Sequence, residues 1–227
     1  MEQKTKDWNE FKSNDSWSIF KIMSEFVEGF DRMSKIGPCI AIFGSARTSP
    51  ENPYYLLGEE IAEKFAGLGY GIITGGGPGL MEAANKGAQN AKGKSVGLNI
   101  DLPFEQNHNP YIDQEHNLEF NYFFVRKVIF VKYSQAFVIL PGGFGTLDEF
   151  FEAMTLIQTK KITKRPIVLV GTSYWIGLLK WVEETILWKE NNISATDIEL
   201  YKLVDTANEA VAYIEDFYRS HALSPNF

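Results

Sequence analysis

The chain has 227 residues, a length that suits one large α/β domain or two small ones. It is 44% hydrophobic and 22% charged, enough apolar material for a real core, and its formal net charge of −7 argues against broad binding to nucleic acid or anionic membranes. A small anionic ligand stays compatible with that charge, because local N–H groups and one or two arginines can hold it.

Residues 1–15 are polar and read as loose, and they lack the apolar stretch of a signal peptide. From Ser16 to about Lys35 the residues Ile19, Phe20, Met23, Phe26, Val27, Phe30 and Met33 fall at helical spacing. This predicts an amphipathic helix lying on the main domain or on a second subunit, with core packing the preferred reading. "PCIAIF" (38–43) reads as a strand, and a helix follows over about 53–68. The single cysteine, Cys39, sits in that first apolar run and reads as a buried, inert thiol in a reducing compartment. "GYGIIT" (69–74) is the second strand, followed by "GGGPG" and a helix "LMEAANKGAQNA". "SVGLNI" (95–100) is the third.

A long polar loop, "DLPFEQNHNPYIDQEHN", then precedes a helix around 121–134. "AFVIL" (136–140) is the fourth strand and "LDEFFEAMTLIQ" its helix. "PIVLV" (166–170), a Trp-rich helix, a last strand near 200–204 and a helix from about 207 close the chain. No apolar stretch approaches the roughly 18 residues of a membrane span, and the chain reads as cytoplasmic.

Short apolar runs without strict alternation fit strands buried on both faces. Interleaved with helices, they predict an α/β fold: a Rossmann-like, doubly wound, mostly parallel sheet with helices on both faces. Residues 1–35 read as an N-terminal helical extension and 36–227 as a single nucleotide-binding domain. Ligands of such sheets bind beyond the carboxyl ends of the strands. The glycine turns fall there: "GS" after strand one, "GGGPG" after strand two and "PGGFGT" after strand four.

Two glycine segments are decoys. "GGGPGL" breaks the dinucleotide register, since Leu80 stands where the third glycine belongs, so Asp101 loses its reading as a ribose-binding acid. "AQNAKGKS" (88–95) has Ala88 in the first glycine position of a P-loop and follows a helix. His108, His116 and His221 lack metal-ligand spacing, and no serine sits in a G-x-S-x-G elbow.

"PGGFGT" at a helix start exposes N–H groups and the positive end of a helix dipole, an anion site with the Thr146 hydroxyl as another donor. A plain strand-to-helix turn fits the same residues. Thr146 and Glu149 have capping-box spacing, and "TANE" (206–209) repeats that spacing with no glycine loop before it. Spacing alone therefore makes Glu149 a cap. Helix phase puts it on the border between the apolar and polar faces, able to look into a cleft at the strand ends. Arg126 and Lys127 lie in a helix that is apolar over much of its surface. Arg126 fits either a phosphate or carboxylate fork, or a salt bridge to a neighbouring carboxylate.

"PGGFGTLDE", with "RK" (126–127) upstream, "GGGPGLMEAANKGA" and "GSAR", resembles the signature of the LOG (lonely guy) family, and particularly its longer bacterial branch. The likeness runs from about Pro38 to Trp188. That family comprises cytokinin riboside 5′-monophosphate phosphoribohydrolases, often labelled "lysine decarboxylase". No residue pattern in the chain argues for a pyridoxal phosphate site. The resemblance implies hydrolysis of the N-glycosidic bond of a nucleoside 5′-monophosphate, with Arg126 and Glu149 as the catalytic pair. It implies that Pro141, Gly142, Gly143, Gly145 and Thr146 hold the phosphate. It implies that Ser45, Gly76, Gly77 and Met81 line the pocket, that Lys127 supports it, and that Thr155 is a more distant substrate contact. No metal or cofactor is required. A purine nucleotide such as AMP, or isopentenyl-AMP, is the expected ligand. A nucleotide or molybdenum-cofactor carrier on the same fold is the alternative. A homodimer is expected from the apolar 121–134 helix.

Overall fold

The computed structural model describes residues 11–101 and 108–227. The polar residues 1–10 and positions 102–107 of the long loop lie outside the described residues. Seven strands form one parallel sheet: β1 (Cys39–Phe43), β2 (Gly71–Thr74), β3 (Ser95–Ile100), β4 (Asn117–Phe120), β5 (Ser134–Ile139), β6 (Ile167–Val170) and β7 (Tyr201–Val204). Their spatial order is β4-β3-β2-β1-β5-β6-β7. The chain starts at the centre, winds outward to β4, and returns to pair β5 with the free side of β1. This Rossmann-like α/β arrangement has its topological switch point between β1 and β5, where ligand crevices form in such sheets.

β1, β2, β5 and β6 are buried at every residue, as expected of strands covered on both faces. One face packs on α1 (Phe11–Ser34), α4 (Phe123–Tyr133), α5 (Phe144–Gln158) and α6 (Thr172–Trp181), through residues such as Met33, Val125, Phe150 and Trp175. The other packs on α2 (Pro53–Gly67), α3 (Leu80–Asn90) and α7 (Ala207–Tyr218), through Ile61, Phe65, Ala83 and Ile214. Alternate residues of one strand serve the two cores: Ala41 belongs to the first and Ile40 and Ile42 to the second.

α1 lies against α4, where the Tyr133 hydroxyl donates to Phe30 O at 3.2 Å. Arg32 also donates to the carbonyls of Glu115 and Asn117. Two elements differ from the sequence reading. β4, a parallel strand on the β3 edge, starts at the last residue of the long loop, and α6 continues as a π-helix over Val182–Lys189.

Candidate active site

The N-terminus of α5 carries the loop 141–146, and its structure decides what Thr146 does. The N-cap is Gly143, so Thr146 is the third residue inside the helix and cannot cap it. The control segment behaves differently. Thr206 is the N-cap of α7, its hydroxyl accepts from Glu209 N at 3.2 Å, and Glu209 Oε2 accepts from Thr206 N at 3.0 Å. One T-x-x-E spacing is a capping box and the other leaves its glutamate available.

The loop is held by its neighbours. Ser45 N donates to Pro141 O and Leu80 N donates to Ser45 O, both at 3.0 Å, so the turn after β1 is stitched to both glycine turns. The Tyr174 hydroxyl of α6 donates to Gly142 O. Gly79 has φ +68, and a Cβ there would lie 2.4 Å from Ser45 O, so the close approach requires glycine. Asn109, 4% exposed, donates from Nδ2 to the carbonyls of Gly76 and Gly77 and so fixes the first glycine turn.

These turns enclose a cleft of about 1100 Å³ at the carboxyl ends of β1 to β4. Ser45, Gly77, Met81, Arg126, Gly143, Gly145, Thr146 and Glu149 line it. The other residues singled out from sequence lie outside this lining. Gly76 has its carbonyl taken by Asn109, and Pro141 and Gly142 sit behind the loop, tied by Ser45 and Tyr174. Lys127 bridges Asp148 at 2.7 Å and Glu152 at 2.8 Å, pinning α5 to α4. Thr155 is exposed, and its hydroxyl donates to Phe151 O within the helix. The cleft also contains Arg47, Asn99, Asp101, His108, Glu119 and Phe144, which sequence reading had not placed there. Their position at strand ends is the signal that could have found Asn99 and Asp101; Glu119 sits on the strand that was not foreseen.

Glu149 is 7% exposed, and burial pushes its carboxyl from the ordinary 4.5 up to about 7, against the pull of Lys127 and Arg126. As the sixth residue of α5, Glu149 lies beyond the first turn, where the helix dipole would hold a carboxylate ionised. Burial also lowers the Arg126 pKa, with Glu149 and Asp148 opposing. Arg126 Nε is buried with no hydrogen-bond partner among the described residues, and the guanidinium lies 5.0 Å from the Phe123 ring centroid. A buried donor left open costs stability unless a ligand takes it.

A doubly wound parallel sheet with a glycine-walled cleft at its switch point defines a Rossmann-like protein. A family profile described as "Possible lysine decarboxylase" matches residues 81–214. A cytokinin riboside 5′-monophosphate phosphoribohydrolase of Mycobacterium tuberculosis is 30% identical over 179 residues, covering 76% of this chain and 90% of that protein. A plant protein of the same name from Arabidopsis thaliana is 35% identical over 97 residues, 42% of this chain and 44% of the relative. The match thus spans under half the length of such plant relatives. The chain belongs to the LOG family. Among solved structures, the molybdenum cofactor carrier protein of Chlamydomonas reinhardtii superposes with a TM-score of 0.58 at 22% identity, covering 81% of this chain and 99% of that one. The molybdenum cofactor binding protein of Rippkaea orientalis gives 0.56 at 19%, covering 80% and 98%. These likenesses concern the fold.

Proposed function

We propose that the cleft hydrolyses the N-glycosidic bond of a nucleoside 5′-monophosphate, with AMP or isopentenyl-AMP as substrate. The observation that carries this reading is the pair of groups in the cleft wall, the buried Glu149 and the part-buried Arg126, beside the open N-terminus of α5. The phosphate sits on the N–H groups of Gly143 to Thr146, which places the sugar toward Glu149. As the C1′–N bond breaks, positive charge builds on the ribose in an oxocarbenium-like state. The Glu149 carboxylate stabilises that charge and takes a proton from the attacking water. Water oxygen bonds to C1′, the base leaves with the bonding pair and is protonated, and ribose 5-phosphate remains. Arg126 stays protonated; its role is to bind substrate oxygens and orient Glu149.

In this reading residues 36–227 are one nucleotide-binding domain of a cytoplasmic homodimer, with residues 1–35 as an extension. Phe123 and Phe124 of α4 are half exposed and supply apolar surface for the dimer. Among the described residues no helix is long and apolar enough to cross a membrane. Among the described residues lining the cleft none is a lysine.

A second reading, a carrier that binds a nucleotide or the molybdenum cofactor without cleaving it, has the likeness to carrier folds in its favour. Incubation with AMP and isopentenyl-AMP, with free base measured by chromatography, separates the two. Base release that is lost in folded Glu149→Gln and Arg126→Ala proteins supports the hydrolase. Tight AMP binding without release supports the carrier. Light scattering at micromolar concentration tests the dimer.

A further inference from the structure

We propose that Arg47 is the phosphate-reading residue of the cleft, the side chain that makes it select a 5′-monophosphate over the uncharged nucleoside; this rests on the hydrolase reading above. A phosphate monoester carries about −1.5 to −2 charges near neutral pH. The N-terminus of α5 supplies roughly +0.5, and its first turn holds no acidic side chain. Glu149 beside Arg126 offsets part of that guanidinium's charge. The helix and the glycine turn therefore leave most of the dianion uncompensated. Arg47 is the other arginine of the lining. Its backbone N–H donates to Ser45 Oγ at 3.0 Å, while its guanidinium has no hydrogen bond or ion pair among the described residues.

Placement supports the assignment. Arg47 stands in the turn after β1, and that turn is fastened on one side to Pro141 O and on the other to Leu80 N. The fastening fixes the backbone between the two glycine turns, so the flexible part is the side chain alone. Besides Glu149, which sits beside Arg126, the acidic members of the lining are Asp101 and Glu119, at the ends of β3 and β4. β4 is three strands from β1 in the sheet order, about 14 Å at the usual strand spacing. The cleft is thus cationic at the α5 end and anionic at the other. A phosphate is drawn to the first and repelled from the second, which fixes the direction in which the nucleotide lies.

Calorimetric titration with ribose 5-phosphate tests this without requiring turnover. Arg47→Ala is expected to weaken ribose 5-phosphate binding roughly 10- to 100-fold, the range for a hydrogen bond to a charged group, with Arg47→Lys in between. The ratio of kcat/KM for AMP over adenosine falls by the same factor in Arg47→Ala. Lys92→Ala, outside the cleft, serves as the control and keeps wild-type binding. Unchanged ribose 5-phosphate affinity in a folded Arg47→Ala protein, or no binding by wild type, overturns the assignment. If wild type binds ribose 5-phosphate but releases no base, the hydrolase reading fails while the Arg47 isotherm still decides its own question.

Discussion

Arg126, part-buried, and Glu149, buried, enter one cleft from two different helices, and no hydrogen bond or ion pair joins them. Each holds unspent bonding capacity toward the same space. For Glu149 the consequence is a proton equilibrium near neutrality, at about 7. A carboxylate acting as base works only when ionised. The kcat/KM for base release is therefore expected to rise with pH and level off above about 7, in a pH–rate profile on AMP. A limb near the ordinary glutamate value of 4.5 would mean that the carboxylate is not held as described.

The same equilibrium makes Glu149 a liability for the fold. Its folded pKa stands above the ordinary 4.5, so the folded state holds the proton more tightly between about 4.5 and 7. Stability falls as pH rises through that window, and the penalty is complete above it. The shift corresponds to on the order of 3 kcal/mol. Glu149→Gln should melt higher than wild type at pH 8 and match it near pH 4. Thermal melts across that range decide, and an earlier melt at pH 8 would restore the capping role.

Lys127 is the largest of the influences holding the Glu149 pKa down. It also bridges Asp148 and Glu152, whose side chains are 59% and 30% exposed, so its direct contribution to stability is screened to about 1 kcal/mol or less. Lys127→Met is expected to move the pH–rate limb upward while shifting the melting temperature only slightly. The reverse pattern, a large loss of stability with the limb in place, would make Lys127 a strut and nothing more.

How far the sequence reached depended on whether a feature is local. The strands β1, β2, β5 and β6 announce themselves because burial on both faces demands unbroken apolar runs, "CIAIF" among them. β4 does not. Its "NLEF" is a short edge strand at the end of a polar loop, with Leu118 and Phe120 buried and Glu119 exposed. The start of α5 was misread by three residues, Leu147 against Phe144, because a glycine turn gives no periodicity. That shift is what removed Thr146 from the cap. The π-helix after α6 was invisible, since one extra residue per turn barely alters an apolar pattern. Glu149's burial was beyond reach too: it comes from packing among helices and turns distant in sequence. The strand-end rule was local enough to work, and it brought Ser45, Gly77, Thr146 and Glu149 to one cleft.

The two T-x-x-E segments also permit a paired test. Thr206→Ala removes a real cap and is expected to cost about 1 kcal/mol, read by denaturant unfolding, with base release unchanged. Thr146→Ala removes a buried hydroxyl from the cleft wall, and its main effect should fall on the KM for AMP. Equal effects on both readouts would contradict the different positions of the two threonines.

Gly79→Ala should be among the more damaging single-methyl changes in the chain. The residue needs φ +68, and the new Cβ would press on backbone atoms of Ser45 and Ala46 that are themselves fixed. Strain and overpacking together are expected to cost about 2–4 kcal/mol. Chemical unfolding measures it, and a loss under about 0.5 kcal/mol would show that the turns are less tightly fastened than they look.

The pairing of β5 with β1 joins distant residues, Cys39 with Ser134 and Phe43 with Ile139. On a ribosome, the central strand is made early, yet its second edge waits until β5 has emerged. During that interval a fully apolar strand has one row of backbone groups without a partner, a template for strands from other chains. The switch point that creates the cleft is therefore also a seam that stays open while β2, β3 and β4 are being made. Conditions that slow synthesis or raise chain concentration should send this protein toward aggregates from the nascent state, well before the finished fold becomes vulnerable.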